Sequence, residues 1–271
     1  MSGAGGWRLY ADMGNSSLQW AAHTGQCWGP SAWTVVPAGT AHNAVFVVIS
    51  SLLEAAGLPA EECGGAALVS SNPRMAQWAE ELLAGFGPGC VAVMGRELHS
   101  ELVIEYDDPS QMGQDRIAMV EGARELCGAP AVAISCGTCI TAQALSADGR
   151  IVGGAIAPGL APCRAGLMEA VPHLAEQTAE AARRIEAGEA LPAVGHSTVE
   201  NLAVGLRATL EGTVARLAEV MRAQVGESAP LVLTGGWAEM IAGRGGGRWR
   251  IEPLLGLEGL RALHERKLGE R

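Results

Sequence analysis

The sequence predicts an α/β protein made of two related halves, and three observations carry that prediction. Short apolar runs alternate with amphipathic stretches along most of the chain. A unit of apolar run, small-residue turn and second apolar run occurs near the N-terminus and again from residue 131, with Gly14 and Gly137 in matching places. The 271 residues suffice for one large domain or two smaller ones, with ample core.

Taken in order, WRLYADMGNSSLQWAA reads as a strand, a turn through Asp12-Met13-Gly14-Asn15-Ser16, and a second strand. HNAVFVVISSLLEAAGLP predicts a helix stopped by Gly-Leu-Pro. AALVSSNP is a buried strand ending in turn residues, PRMAQWAEELLAGF an amphipathic helix with proline at its start, and CVAVMG another strand. After the acidic, turn-rich VIEYDDPSQMGQ a helix begins near Gln114. Residues 131–159 then give strand, turn, strand, an Asp-Gly hairpin turn, a third strand, and Gly-Gly and Pro-Gly punctuation. A long helix around 198–225, a strand in PLVLTGGWA, a Gly/Arg hairpin in AGRGGGRWR and a final helix complete the chain.

Composition excludes several classes of partner. A formal net charge of −10 opposes an extended phosphate backbone, and two Tyr and two Phe beside seven Trp offer few stacking platforms, so no nucleic acid is expected. No basic region followed by a long apolar segment opens the chain, and no apolar run reaches spanning length, so no leader and no membrane partner are expected. Seven scattered cysteines suit a reducing cytoplasm better than a disulfide framework.

Cys136-Gly137-Thr138-Cys139 could be a thiol pair or a phosphate-holding turn. Strand-like residues continue on both sides and no second C-x-x-C follows, which favours the turn. Asp12-Met-Gly-Asn-Ser offers the same device: a glycine bend, exposed amides for phosphate oxygens, and an Asp able to hold Mg²⁺ through water. Ser135-Cys-Gly-Thr is expected to face it across a cleft and to add the Thr138 hydroxyl. Thr234-Gly235-Gly236, where a strand turns into a helix, could accept an adenosine or ribose. Each alone is an ordinary turn; three in this order, with the duplication, point to a nucleotide.

These segments resemble the acetate and sugar kinase/heat-shock/actin superfamily, and within it the type III pantothenate kinases. The likeness covers almost the whole chain: DMGNSSLQWA, YDDPSQMGQDRIA, CGTCIT, GGAIAPGL, HSTVENLAVGL, LVLTGGWA and IEPLLGLEGL each resemble a family segment, YDDPSQMGQDRIA most specifically. The resemblance implies two duplicated actin-like (ribonuclease H-like) domains, set at 1–118 and 119–271, with a nucleotide cleft between them. It implies ATP-dependent phosphorylation of pantothenate, the first step toward coenzyme A, by a cytoplasmic homodimer whose candidate contact is the helix from Thr198. Asp115 would be the general base; Tyr106, Gly113, Arg116 and Thr198 would shape the pantothenate site, with Arg116 offering a fork to its carboxylate. Asp12 would organise Mg²⁺, and Gly14, Asn15, Ser16, Gly137, Thr138, Gly235 and Gly236 would hold ATP.

Two acids of the family pattern are absent. Ser135 stands where an Asp precedes the second phosphate turn, and Gln143 where a second acid follows. The first is associated in the family with a monovalent cation, K⁺ or NH₄⁺; a neutral hydroxyl lacks that charge, so the expected K⁺ response is small. The segment APCRAGLMEAVPHL is shorter than usual and lacks a Thr that helps to hold substrate in the family. Three alternatives follow: an active kinase that tolerates Ser135, a catalytically weak accessory homologue like the Bvg accessory factors, or a kinase of another hydroxy acid. Retention of Asp12, Asp115 and Arg116 favours a working enzyme.

Overall fold

The computed structural model describes residues 6–15, 17–37, 39–87, 91–243 and 248–269. The chain opens with β1 (Arg8–Met13), β2 (Ser17–His23) and β3 (Trp28–Val35), followed by α1 (His42–Ala55), β4 (Ala66–Ser70), α2 (Pro73–Ala84) and β5 (Val91–Val93). α2 begins as its proline predicts: Pro73 lies in the first turn, and the Asn72 side chain caps it by accepting from the amides of Arg74 and Met75. Next come β6 (Val103–Ile104) and α3 (Gln114–Cys127), then the meander β7 (Ala131–Cys136), β8 (Cys139–Leu145) and β9 (Arg150–Pro158). α4 (Leu160–Ala170), α5 (Ala175–Glu186) and α6 (Thr198–Val225) lead to β10 (Leu231–Thr234), α7 (Ala238–Ala242), β11 (Trp249–Ile251) and α8 (Leu255–Gly269).

The duplication inferred from the two glycine turns is visible in the strands. The first sheet has the order β3-β2-β1-β4-β5, with an antiparallel β1–β2–β3 meander and β4 and β5 parallel to β1. The second has the order β11-β10-β7-β8-β9-β6. Its β7–β8–β9 meander is also antiparallel, and β10 and β11 run parallel to β7. Five strands in each sheet therefore share one order and one set of directions. β6 is an addition, parallel to β9.

Two compact units result. The first comprises residues 1–102, 106–126 and 254–271, and the second 103–105 and 127–253. These edges differ from a division at 118/119. That position falls within α3, a continuous helix that buries Ile117 to Ala123 in the first unit, and α8 returns to the first unit from the C-terminus. In the first unit, α1 and α2 bury Ile49, Leu53, Leu82 and Leu83 against Leu9, Leu18 and Trp20. In the second, Leu206, Leu210, Val214 and Met221 of α6 pack on Val132, Ile134 and Ile140. Each such side chain contributes about 1.5–3 kcal/mol by leaving water.

α3 and α8 approach backbone to backbone. A Cβ on Gly122 would overlap the Leu255 carbonyl, and one on Gly259 would overlap that of Ala118. The contact joins the middle of α3 to the start of α8, where Gly256 lies against Asp12 of β1.

One expectation fails. The strand that follows the Gly/Arg segment, β11, pairs parallel to β10 with α7 between them, so these two strands do not make a hairpin. Residues 244–247 of that segment lie outside the described residues, as does Ser16.

Candidate functional site

In the first unit, Asp12 at the end of β1 and Asp115 in the first turn of α3 come near enough for their charges to interact. Burial, and then the Asp115 carboxylate, push the Asp12 carboxyl up to about 7. Asp115 is held in place from below: it folds back over Gly113, where a Cβ would sit 2.5 Å from Asp115 Oδ1. The Gly113 carbonyl accepts from the amides of Arg116 and Ile117, so the residue also starts the helix. Gly113 thus makes room for the carboxylate.

Arg116 is the next member of this turn. Its Nη1 donates to the Tyr106 hydroxyl at 3.4 Å and its Nη2 to the Gln111 carbonyl at 3.0 Å. The loop between is braced by Asp108, whose carboxylate accepts from the Ser110 amide and hydroxyl and from Gln111, holding its pKa below the usual range. Tyr106, Gly113, Asp115 and Arg116 therefore form one assembly. Thr198 belongs to the second unit, exposed at the start of α6, where Ser197 caps the helix through the Glu200 amide.

The first turn closes on itself. The Gly14 amide donates to Ser17 O at 2.9 Å, and Asn15 Oδ1 accepts from Asn72 Nδ2 at 3.0 Å. The matching turn of the second unit closes one residue tighter, from the Gly137 amide to Cys139 O at 3.2 Å.

Around that second turn three segments converge. The Gly159 amide donates to Thr138 O at 3.0 Å, and a Cβ there would overlap the carbonyls of Gly137 and Thr138. The Trp237 amide donates to Cys136 O at 3.1 Å. Gly235 has φ +90°, and a Cβ there would meet Cys136 O at 2.7 Å; both constraints call for glycine. Gly236 has open space beside it. Gly159 lies in the recognised Pro-Gly turn, but its pressure on Thr138 is a long-range contact that no local pattern reveals.

Ser135 lies between Thr141 on β8 and Thr234 on β10, in register with both. A row of three hydroxyls thus occupies the position expected to carry an acid. Gln143 is fully buried and lies across Gly154, whose lack of a side chain makes the space. Cys136 is buried in the core, which pushes its thiol up to about 12, whereas Cys139 is exposed. The two thiols differ as the turn interpretation requires.

Beside α7 the second unit has a cavity of about 440 Å³, lined by Ile185, Leu191, Arg207, Glu239 and Met240 among others. Among the described residues no three His, Cys, Asp or Glu side chains gather as a metal-binding group, and no helix is long and apolar enough to cross a membrane.

Comparison with known proteins gives one family. A family model described as type III pantothenate kinase matches residues 8–220. A type III pantothenate kinase of Moorella thermoacetica is 30% identical over 223 residues, covering 81% of this chain and 84% of that protein. One from Roseiflexus castenholzii is 26% identical over 257 residues, covering 95% and 98%. Among solved structures, component A of (R)-2-hydroxyglutaryl-CoA dehydratase from Acidaminococcus fermentans superposes with a TM-score of 0.56 at 16% identity, covering 98% of this chain and 99% of that one. MreB 5 of Spiroplasma citri, bound to AMPPNP, gives 0.53 at 8% identity, with 97% of each chain covered. At these identities the two structures establish the fold, an actin-like one.

Proposed function

The chain belongs to the type III pantothenate kinase family, and we propose that it performs the ATP-dependent phosphorylation of pantothenate with Asp115 as the general base. The observation that carries this assignment is the pair of interacting carboxylates, Asp12 and Asp115, with Arg116, next to Asp115 in the chain, already oriented by Tyr106 and Gln111.

Phosphoryl transfer asks for alignment, charge neutralisation and a carboxylate within reach of the attacking alcohol. Asp115 takes the proton from the primary hydroxyl of pantothenate, and Arg116 directs its remaining N–H groups to the substrate carboxylate. Asp12 suits Mg²⁺, because a part-buried carboxylate beside a second one would be relieved by a divalent cation. Bound there, Mg²⁺ would neutralise developing charge on the phosphoryl oxygens.

We assign phosphate contact to the turns at Gly14–Ser16 and Gly137–Thr138. The Gly14 and Gly137 amides are spent in closing those turns, so the following amides would meet the phosphate oxygens. Gly235, Gly236 and the cavity beside α7 suit the nucleoside, since 440 Å³ is within the range of small-molecule sites. K⁺ or NH₄⁺ has no acid at Ser135, so we propose that the reaction runs without a specific monovalent cation.

Thr198 and a homodimer remain part of this proposal on the family resemblance. The apolar stripe of α6 packs into its own unit, so a two-fold contact through this helix would use its other faces. The described cysteines are all free, which suits the cytoplasm.

The neutral Ser135 and Gln143 favour one second reading, a weakly catalytic accessory protein. A coupled ADP-release assay with pantothenate and related hydroxy acids, with and without K⁺, decides between them. Pantothenate-dependent release supports the kinase; nucleotide binding without release from any acceptor supports the accessory role.

A further inference from the structure

One face of the first sheet is closed at one end and open at the other. At the closed end Tyr10 packs edge-to-face with His23, Trp28 and His264, and Trp28 Nε1 donates to Glu258 Oε1 at 2.5 Å, so α8 seals that half. α8 begins at the middle of the face, where Gly256 lies against Asp12.

Strand register fixes what occupies the other half. Asp12 on β1 is paired with Gln19 on β2, and Gln19 with Trp33 on β3. Directly opposed residues of antiparallel strands project to the same face, so Asp12, Gln19 and Trp33 form one row. Two residues on, Val35 is paired with Ser17, whose carbonyl closes the Gly14 turn. Trp33 is 63% exposed and Val35 54%. Bare apolar side chains on an edge strand invite unwanted association and mark a surface that something covers.

Resting on the kinase assignment, we propose that Trp33 is a positioning residue for the acceptor. Its indole, continued by Val35, forms an apolar wall for the carbon that bears two methyl groups next to the primary alcohol of pantothenate. Neighbouring strands lie about 4.8 Å apart, so two steps across the sheet separate the Trp33 and Asp12 backbones by roughly 10 Å. An indole reaching inward over Gln19 spans much of that gap. The alcohol then stands at the Asp12–Asp115 pair while its branched neighbour rests on the wall.

The test compares Trp33→Ala and Trp33→Phe with the native protein, using ADP-release kinetics, pantothenate titrations followed by tryptophan fluorescence, and sedimentation. Trp33→Ala should raise the KM for pantothenate roughly tenfold while kcat and the KM for ATP stay close to native, and Trp33→Phe should recover most of the loss. Pantothenate should change the fluorescence of the native protein, and that change should vanish in Trp33→Phe although binding persists. An unchanged pantothenate KM overturns the inference, as does a change confined to the ATP KM or a shift in oligomeric state. If the native protein binds pantothenate with the Trp33-dependent signal but releases no ADP, the kinase assignment fails and the wall stands. If release is normal and the signal is the same in Trp33→Phe, the wall alone fails.

Discussion

The Asp115 carboxylate helps to hold a proton on Asp12. The two lie on different elements, the first turn of α3 and the end of β1, and their mutual repulsion adds to burial in raising Asp12 to about 7. A carboxylate pair in this relation suits a site that gathers a cation and a hydroxyl proton at one place.

Replacing Asp115 with Asn removes the proposed base and keeps the shape. Turnover should fall roughly a hundred- to ten-thousandfold with nucleotide affinity close to native, measured by ADP release and by calorimetric titration. Native turnover in the variant would remove Asp115 from the chemistry.

Asp12 should make stability fall as pH rises. Its folded pKa lies above the ordinary value of 3.8, so between about 4 and 7 the folded chain holds a proton that the unfolded chain has lost. The penalty is absent below that window and complete above it. Without nucleotide and Mg²⁺, Asp12→Asn should therefore raise Tm at pH 8, leave it nearly unchanged at pH 4, and abolish turnover. An equal effect at both pH values would contradict the raised pKa.

Ser135 presents a hydroxyl between two threonines, so exchanging Na⁺ for K⁺ should change ADP release little. Ser135→Asp puts the family's charge back and should create a K⁺ response. Strong K⁺ activation of the native protein would place a cation site elsewhere.

Gly259→Ala pushes a methyl group into the Ala118 carbonyl. The helices must separate, at a cost of about 1–3 kcal/mol, read as a lower denaturation midpoint. Because Asp115 and Gly256 ride on those helices, turnover should fall even where the variant is fully folded. Gly269→Ala, with open space around it, should do neither.

Much of this arrangement was legible in the residues because it depends on local geometry. The turn of small residues at Gly14 and Gly137, the proline at the start of α2, and Asp115 at the head of α3 all announce themselves within a few positions. The doubled strand order followed from the repeated turn. β3 was less legible, since Gly29 and Pro30 interrupt it, and β11 was misjudged because turn residues do not distinguish a hairpin from a parallel crossover. The contacts of Gly122, Gly159 and Gly259 join residues distant in sequence or packed across elements, and a glycine alone does not say what presses on it. Trp33 gained meaning only through register, which sets it two strands from Asp12.

The twin sheets bear on how this enzyme approaches a polyanion. Asp12 and Ser135 stand at equivalent points, each two residues before its glycine turn, so one half carries an acid there and the other a neutral hydroxyl. A hydroxyl there would repel no phosphate, so under the proposed assignment of the second turn no counter-ion would be called for at that point.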